Sequence, residues 1–230
     1  MKVLYRPVLL VNHEATDFYR CLPVRLKNGV ETARGKKALR YNNEIIETAE
    51  KNARVLSLAF ADLTRAHAAG KKVRLIVPIN SYAIASGDAA TLIVKAIREL
   101  DEALRAAVIV EVYEFPKSLT LDMLADMTIP FLPFFDKFLA EPRPEMTDFT
   151  MFANSNYFGV SLNLGGRVEK GEDAVAVMTK FWAEATNRRL KVVVQGITEQ
   201  DVADKATQYE AFALDGSLLG ADMESMTDDA

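Results

Sequence analysis

The sequence predicts a one-domain α/β barrel of the TIM type, a ring of parallel strands with helices outside. Short runs dense in valine and isoleucine recur along the chain, and stretches with the 3.6-residue apolar spacing of helices lie between them. Runs that are apolar throughout belong to strands buried on both faces, which is the pattern of a parallel sheet covered by helices. The length of 230 residues suits a single barrel, and about eight strand–helix units close naturally into one.

The elements follow in order. Leu4 to Asn12 and Phe18 to Leu26 read as two strands joined by a turn, a hairpin. From Leu39 to His67, apolar residues recur at Ile45, Ala49, Ala53, Leu56, Phe60 and Leu63, one face of a long amphipathic helix. It stops at Ala69-Gly70, where glycine takes the left-handed conformation that closes a helix and Lys71-Lys72 sit near the negative end. Val73 to Ile79 is a strand, Thr91 to Arg105 a helix and Ala107 to Glu114 a strand. Ser118 to Asp122 resembles a capped helix start, with the helix running to about Met127, and the apolar run Ile129 to Phe135 reads as the next strand. Tyr157 to Leu164 is a strand, Glu172 to Asn187 a helix, Lys191 to Gln195 a strand, Glu199 to Glu210 a helix, and Ala211 to Leu214 closes the series. The barrel is assigned to residues 1–223 and a flexible acidic tail to 224–230.

Composition narrows the function. Half the residues are hydrophobic and 26% are charged, which is ordinary globular composition. A net charge of −4 with both signs interspersed leaves no basic face for broad nucleic-acid binding. The single cysteine, Cys21, excludes an internal disulfide and a multi-cysteine metal cage, and fits a reducing, cytoplasmic setting. No apolar run approaches the roughly 20 residues of a membrane helix, and Met1 to Asn12 lacks the features of a signal peptide, so neither insertion nor export is expected.

Functional groups in such barrels sit at the carboxyl ends of strands. There the predicted strands deliver Asn80, Glu111 with Glu114 beyond it, Asp136, and Gln195-Gly196. Oxygen ligands of this kind suit magnesium or manganese, and they equally suit hydrogen bonds to loops and water. The ordered set Tyr5-Arg-Pro-Val8, Pro-Ile-Asn80-Ser, Val-Glu111-Val-Tyr-Glu114, Val-Val-Gln195-Gly-Ile-Thr-Glu and Leu-Asp215-Gly216 resembles the EAL domains, the cyclic di-GMP phosphodiesterase family. The resemblance covers nearly the whole chain, and it implies a TIM-like barrel that hydrolyses a phosphodiester with metal-activated water.

Residue by residue, the family's catalytic set is depleted. The Glu-Ala-Leu motif falls on Arg20-Cys21-Leu22, and arginine cannot ligate a cation. The paired aspartates are reduced to Phe135-Asp136, and the Lys-x-Asp strand reads Ser161-Leu162-Asn163 or, shifted by one, Val160-Ser161-Leu162. The glutamates of Glu-Gly-Val-Glu are Gln195 and Thr198, and the glutamine of Gln-Gly is Asp215. The resemblance therefore implies a degenerate member with no catalytic residue, no metal and no cofactor, its vestigial pocket formed by Arg20, Asn80, Glu111, Asp136 and Gln195.

Arg20 has two readings: a grip on phosphate where a metal once sat, or a salt bridge to Glu111 or Asp136. Cys21 reads as a small buried thiol, His13 and His67 as structural, and Pro130 to Phe135 as a packed strand. The function expected is a signalling or protein-interaction module whose partner is another protein. Alternatives are a receptor that binds cyclic di-GMP without cutting it, a phosphodiesterase with displaced ligands, or an unrelated α/β-barrel enzyme with a different strand order. A homodimer through the Pro142 to Asp148 segment is a further expectation by family analogy.

Overall fold

The computed structural model describes residues 1–12, 17–165, 171 and 173–227. His13, Glu172 and the last three residues of the expected tail lie outside them. The strands are β1 (Lys2–Pro7), β2 (Leu9–Leu10), β3 (Asp17–Lys27), β4 (Val30–Arg34), β5 (Val73–Asn80), β6 (Val108–Tyr113), β7 (Phe138–Ala140), β8 (Gly159–Asn163), β9 (Lys191–Gln195) and β10 (Ala213–Leu214). The helices are α1 (Ile45–Ala68), α2 (Gly87–Arg98), α3 (Glu102–Arg105), α4 (Leu121–Thr128), α5 (Thr150–Asn154), α6 (Ala174–Asn187) and α7 (Gln200–Gln208).

Seven strands, β3 and β5 to β10, run parallel in chain order. The remaining gap is filled from the amino terminus. β1 pairs antiparallel with β3, and β2, one residue further on, pairs antiparallel with β10. Val8 N–H donates to the Phe18 carbonyl at 2.8 Å where the chain passes from one neighbour to the other. One nearly continuous antiparallel strand thus seals an otherwise parallel barrel and leaves few unpaired edge groups.

Inside the barrel, Val8, Leu10, Phe18, Ile76, Ile109, Leu139, Val193 and Ala213 form one apolar cluster. Alternation along a strand carries the phase of this layer to the residues two positions further on. Those are Arg20, Pro78, Glu111, Glu141, Gln195 and Asp215. A polar ring stacked on an apolar floor is therefore a consequence of strand periodicity. Outside the strands, a second and much larger cluster packs the helices on the sheet, with Leu56, Ala59, Phe60 and Leu63 of α1 fully or almost fully buried in it.

Most expected elements are present, and the differences have local causes. The helix expected from Leu39 begins at Ile45, because Gly35–Leu39 is a 3-10 turn and Asn43 is left-handed at φ 69°. The helix expected over Thr91 to Arg105 is two helices, broken at Leu100 and restarted where the Asp101 side chain caps the Ala103 N–H at 2.9 Å. Ile129 to Phe135 is not a strand. Pro130 and Pro133 supply no N–H for a ladder, and Ile129–Phe131 forms a 3-10 turn instead. The true strand, β7, follows at Phe138–Ala140.

The hairpin of β3 and β4 turns at Asn28 and Gly29, both at positive φ, and was not anticipated. Residues 224–227 of the expected tail follow Met223 directly. Met223 and Tyr5 exchange backbone hydrogen bonds at 2.8 Å each, and Met226 is fully buried. No helix among the described residues is long and apolar enough to cross a membrane.

Candidate functional site

The carboxyl end of the barrel collects charges that the fold buries deeply. Arg20, from β3, lies on the barrel axis side with only 3% of its surface exposed. Its Nη1 donates to Glu111 Oε2 at 2.6 Å and its Nε to Asp215 Oδ2 at 2.6 Å. Glu111, at the fourth position of β6, is completely buried. Burial alone would raise its pKa, but Arg20 and Lys36 beside it hold the carboxyl well below the usual range.

Lys36 reaches the ring from the 3-10 turn after β4. Its Nζ lies 2.6 Å from Glu111 Oε2, donates to Gln195 Oε1 at 3.2 Å, and pairs with Glu141 at close range. It also stands 5.3 Å from the centre of the Tyr113 ring. Gln195, at the end of β9, donates to Glu111 Oε1 at 2.7 Å and to Glu141 Oε2 at 3.3 Å. Both oxygens of Glu111 are thereby occupied. Two cations and one amide hold three carboxylates in a closed network, and such buried pairs resist disruption because removing one partner strands the other.

The residues expected to form the pocket are placed as follows. Arg20, Glu111 and Gln195 are brought together. Asn80 is buried at the end of β5, but its amide is committed to the Leu39 carbonyl at 3.1 Å and to Glu114 Oε2 at 2.5 Å, while its carbonyl oxygen caps Tyr82. It organises the loop after β5. Asp136 is not in the pocket. It precedes β7, at the opposite end of the strand from the site, and its odd offset from Leu139 puts it out of phase with the interior layer. Its side chain is 66% exposed and pairs with neighbouring Lys137.

The acid that β7 delivers is Glu141, which from sequence belonged to a proline-marked loop. The second partner of Arg20 is Asp215, not Asp136. Lys36 was also missed, and the signal for it was present: Asn28-Gly29 marks a tight hairpin, which folds β4 back along β3 and carries the turn after it over the barrel mouth. Cys21 is buried as expected, and burial pushes its thiol up to about 12, so it is no nucleophile at neutral pH.

A cavity of about 500 Å³ opens above this network. Arg6, Arg20, Arg34, Lys36 and Lys37 line it, and Asp215 is its acidic lining residue. Asn163, Gly165 and Gly196 complete one wall, where the Asn163 Oδ1 accepts the Gly165 N–H at 3.2 Å. The donor set does not fit a divalent cation. Its carboxylates are already neutralised by a guanidinium and an ammonium group, and an incoming ion would face both positive charges at contact range. Among the described residues, no group of three or more His, Cys, Asp or Glu is arranged to hold a metal.

A parallel barrel sealed by one antiparallel strand, with a charged ring at its carboxyl end, defines the class of fold. Within that class the chain has the fold of EAL domains. A FimX EAL domain superposes with a TM-score of 0.78 at 16% identity, covering 100% of this chain and 93% of that one. The FimX EAL domain from Pseudomonas aeruginosa, bound to c-di-GMP, gives 0.73 at 17% identity, covering 99% and 93%. The YkuI protein of Bacillus subtilis, which has an EAL domain and was solved with substrate c-di-GMP and calcium, gives 0.74 at 12% identity, with 97% of this chain matching 55% of that one. No family model and no curated protein matches the sequence. The strand order of the described residues is compatible with an EAL barrel, whereas an incompatible one would have favoured another α/β-barrel enzyme on a different substrate.

Proposed function

We propose that this chain is a catalytically inactive EAL-fold domain that acts by binding, as a signalling module whose partner is another protein. One observation carries the reading: Arg20 and Lys36 occupy, with their own positive charges, the carboxylates that a metal-dependent hydrolase would need for its ions. Without the metals, water at this site has no Lewis acid to lower its pKa, and the loss of even one such contact costs about 10²-fold in rate. Purified protein is therefore expected to leave cyclic di-GMP intact over hours in magnesium or manganese. Metal-dependent appearance of the linear dinucleotide, abolished by Glu111→Gln, would overturn the proposal in favour of a phosphodiesterase with displaced ligands.

A second reading has its own support. The cavity above the network is lined by five basic residues in a chain whose net charge is −4, which favours an anion at this one place. A non-hydrolysing receptor for cyclic di-GMP fits that charge, with guanidinium groups holding phosphate in place of metal. Calorimetric titration in EDTA separates the two readings: saturable heat favours the receptor, and its absence at high protein concentration leaves the protein-interaction module.

A further inference from the structure

We propose that Asp222 is an internal competitor for the anion site of this cavity, and that an incoming phosphate group displaces its carboxylate and loosens the carboxyl-terminal segment from β1. The inference rests on the anion-binding reading above and assigns that site a regulatory device.

In the antiparallel register of β1 and β3, Arg6 stands directly opposite Arg20. Like charges at opposed positions repel, so each guanidinium needs its own counter-charge. Arg20 has Glu111 and Asp215, both buried, and these pairs are fixed. Arg20 Nη2 is nevertheless buried with no hydrogen-bond partner, an unsatisfied donor on a residue that lines the cavity.

Arg6 is neutralised differently. Its Nε and Nη2 donate to the two oxygens of Asp222 at 2.7 and 3.1 Å, and Arg34 Nη1 donates to Asp222 Oδ2 at 2.7 Å. Arg6 thus forks Asp222 in the geometry that also suits phosphate oxygens, and Arg34, whose own fork holds Glu31 at 2.8 and 2.9 Å, adds its remaining nitrogen to the same carboxylate. The Arg6 and Arg34 side chains are 24% and 44% exposed and that of Asp222 11%, against 4% or less for Arg20, Glu111 and Asp215, so this clamp is the more open of the two. A phosphate that enters the cavity offers the clamp more charge and more acceptors than Asp222 does.

Asp222 precedes Met223, whose backbone exchanges hydrogen bonds with Tyr5, the residue beside Arg6. Release of the Asp222 side chain removes the side-chain tie next to that bridge. Buried Met226 holds the chain beyond it, which confines the loosening to about the bridge itself. Occupancy at the barrel mouth would in this way be read on an exposed edge of the fold, where a protein partner can sense it.

The test titrates cyclic di-GMP and, separately, inorganic pyrophosphate into the chain in EDTA, with wild type and Asp222→Asn in parallel. Asp222→Asn keeps the shape and removes the charge, and it is expected to tighten anion binding about tenfold by removing the competitor. Hydrogen exchange on wild type should show the Tyr5 and Met223 amides accelerating on saturation, a readout that does not depend on the variant folding. Binding that is equal in both proteins, with those amides unchanged, overturns the role of Asp222 while leaving the anion site intact. No binding to either protein overturns the anion site itself, and the competitor with it.

Discussion

At the scale of single residues, Arg20 decides what this barrel can do. Its guanidinium offsets two buried carboxylates, and Arg20→Ala takes from Asp215 its buried ion pair and leaves Glu111 with Lys36 and Gln195. Breaking a buried pair typically costs about 3–5 kcal/mol, so denaturant unfolding at neutral pH should show a loss of that order. The pH dependence identifies the cause. Glu111 is held at about 2 in the folded protein against an ordinary value of 4.5, so its contribution is complete above the ordinary range and fades as pH falls from there towards 2. In Arg20→Ala, burial is opposed by Lys36 without the guanidinium, and Glu111 takes up a proton more readily. The stability gap between wild type and variant is therefore expected to narrow as pH drops from 7 to the acid range, and a gap independent of pH would locate the damage in packing instead. Part of this was legible in the sequence. Glu111 was among the expected partners of Arg20 and lies only one strand, β5, away from β3, whereas Asp215 needs the barrel to close before it can reach Arg20.

At the scale of elements, the parallel strands rich in valine and isoleucine, such as β5, β6 and β9, are visible in the sequence because burial on both faces leaves few polar positions. β7 was not, and the reason is physical. It is three residues long, and the more conspicuous apolar run before it carries two prolines that exclude it from a ladder. Misplacing that one strand put Asp136 in the pocket and left Glu141 in a loop. With β7 at Phe138–Ala140, the interior phase of Leu139 leads directly to Glu141. The seam between β9 and β10 rests on a close approach that sequence alone marked only as a turn. A Cβ added to Gly216 would meet the Ile197 carbonyl oxygen at 2.0 Å and the Ile197 nitrogen at 2.3 Å. Backbone cannot step aside as a side chain does, so Gly216→Ala should lose about 3 kcal/mol or more in urea unfolding, at or beyond the upper end of overpacking costs. Gly29→Ala provides the contrast: nothing lies within 4 Å, and only the left-handed φ of 78° is strained, for a cost of about 1 kcal/mol.

At the scale of the whole molecule, the barrel's stability is itself a reporter of what its mouth will accept. A ligand that binds the folded state raises the melting temperature by an amount that grows with the logarithm of its concentration over Kd, and one that the folded state excludes does not. Wild-type melting is expected to be insensitive to millimolar manganese, because Arg20 and Lys36 already satisfy Glu111, Glu141 and Asp215. Arg20→Glu changes the local balance by two charges at once. It sets a fourth carboxylate beside three, two of which, Glu111 and Asp215, have lost the guanidinium, and mutual repulsion in a buried site should lower the melting temperature of the variant in EDTA by several degrees. Manganese is the remedy the new donor set calls for, since clustered carboxylate oxygens are what such a hard cation binds. The variant should therefore regain most of its lost stability as manganese is added, while wild type stays flat and potassium at matched ionic strength rescues neither. Rescue by potassium would reduce the effect to screening, and a wild-type shift as large as the variant's would mean that the guanidinium never stood in the way of a metal.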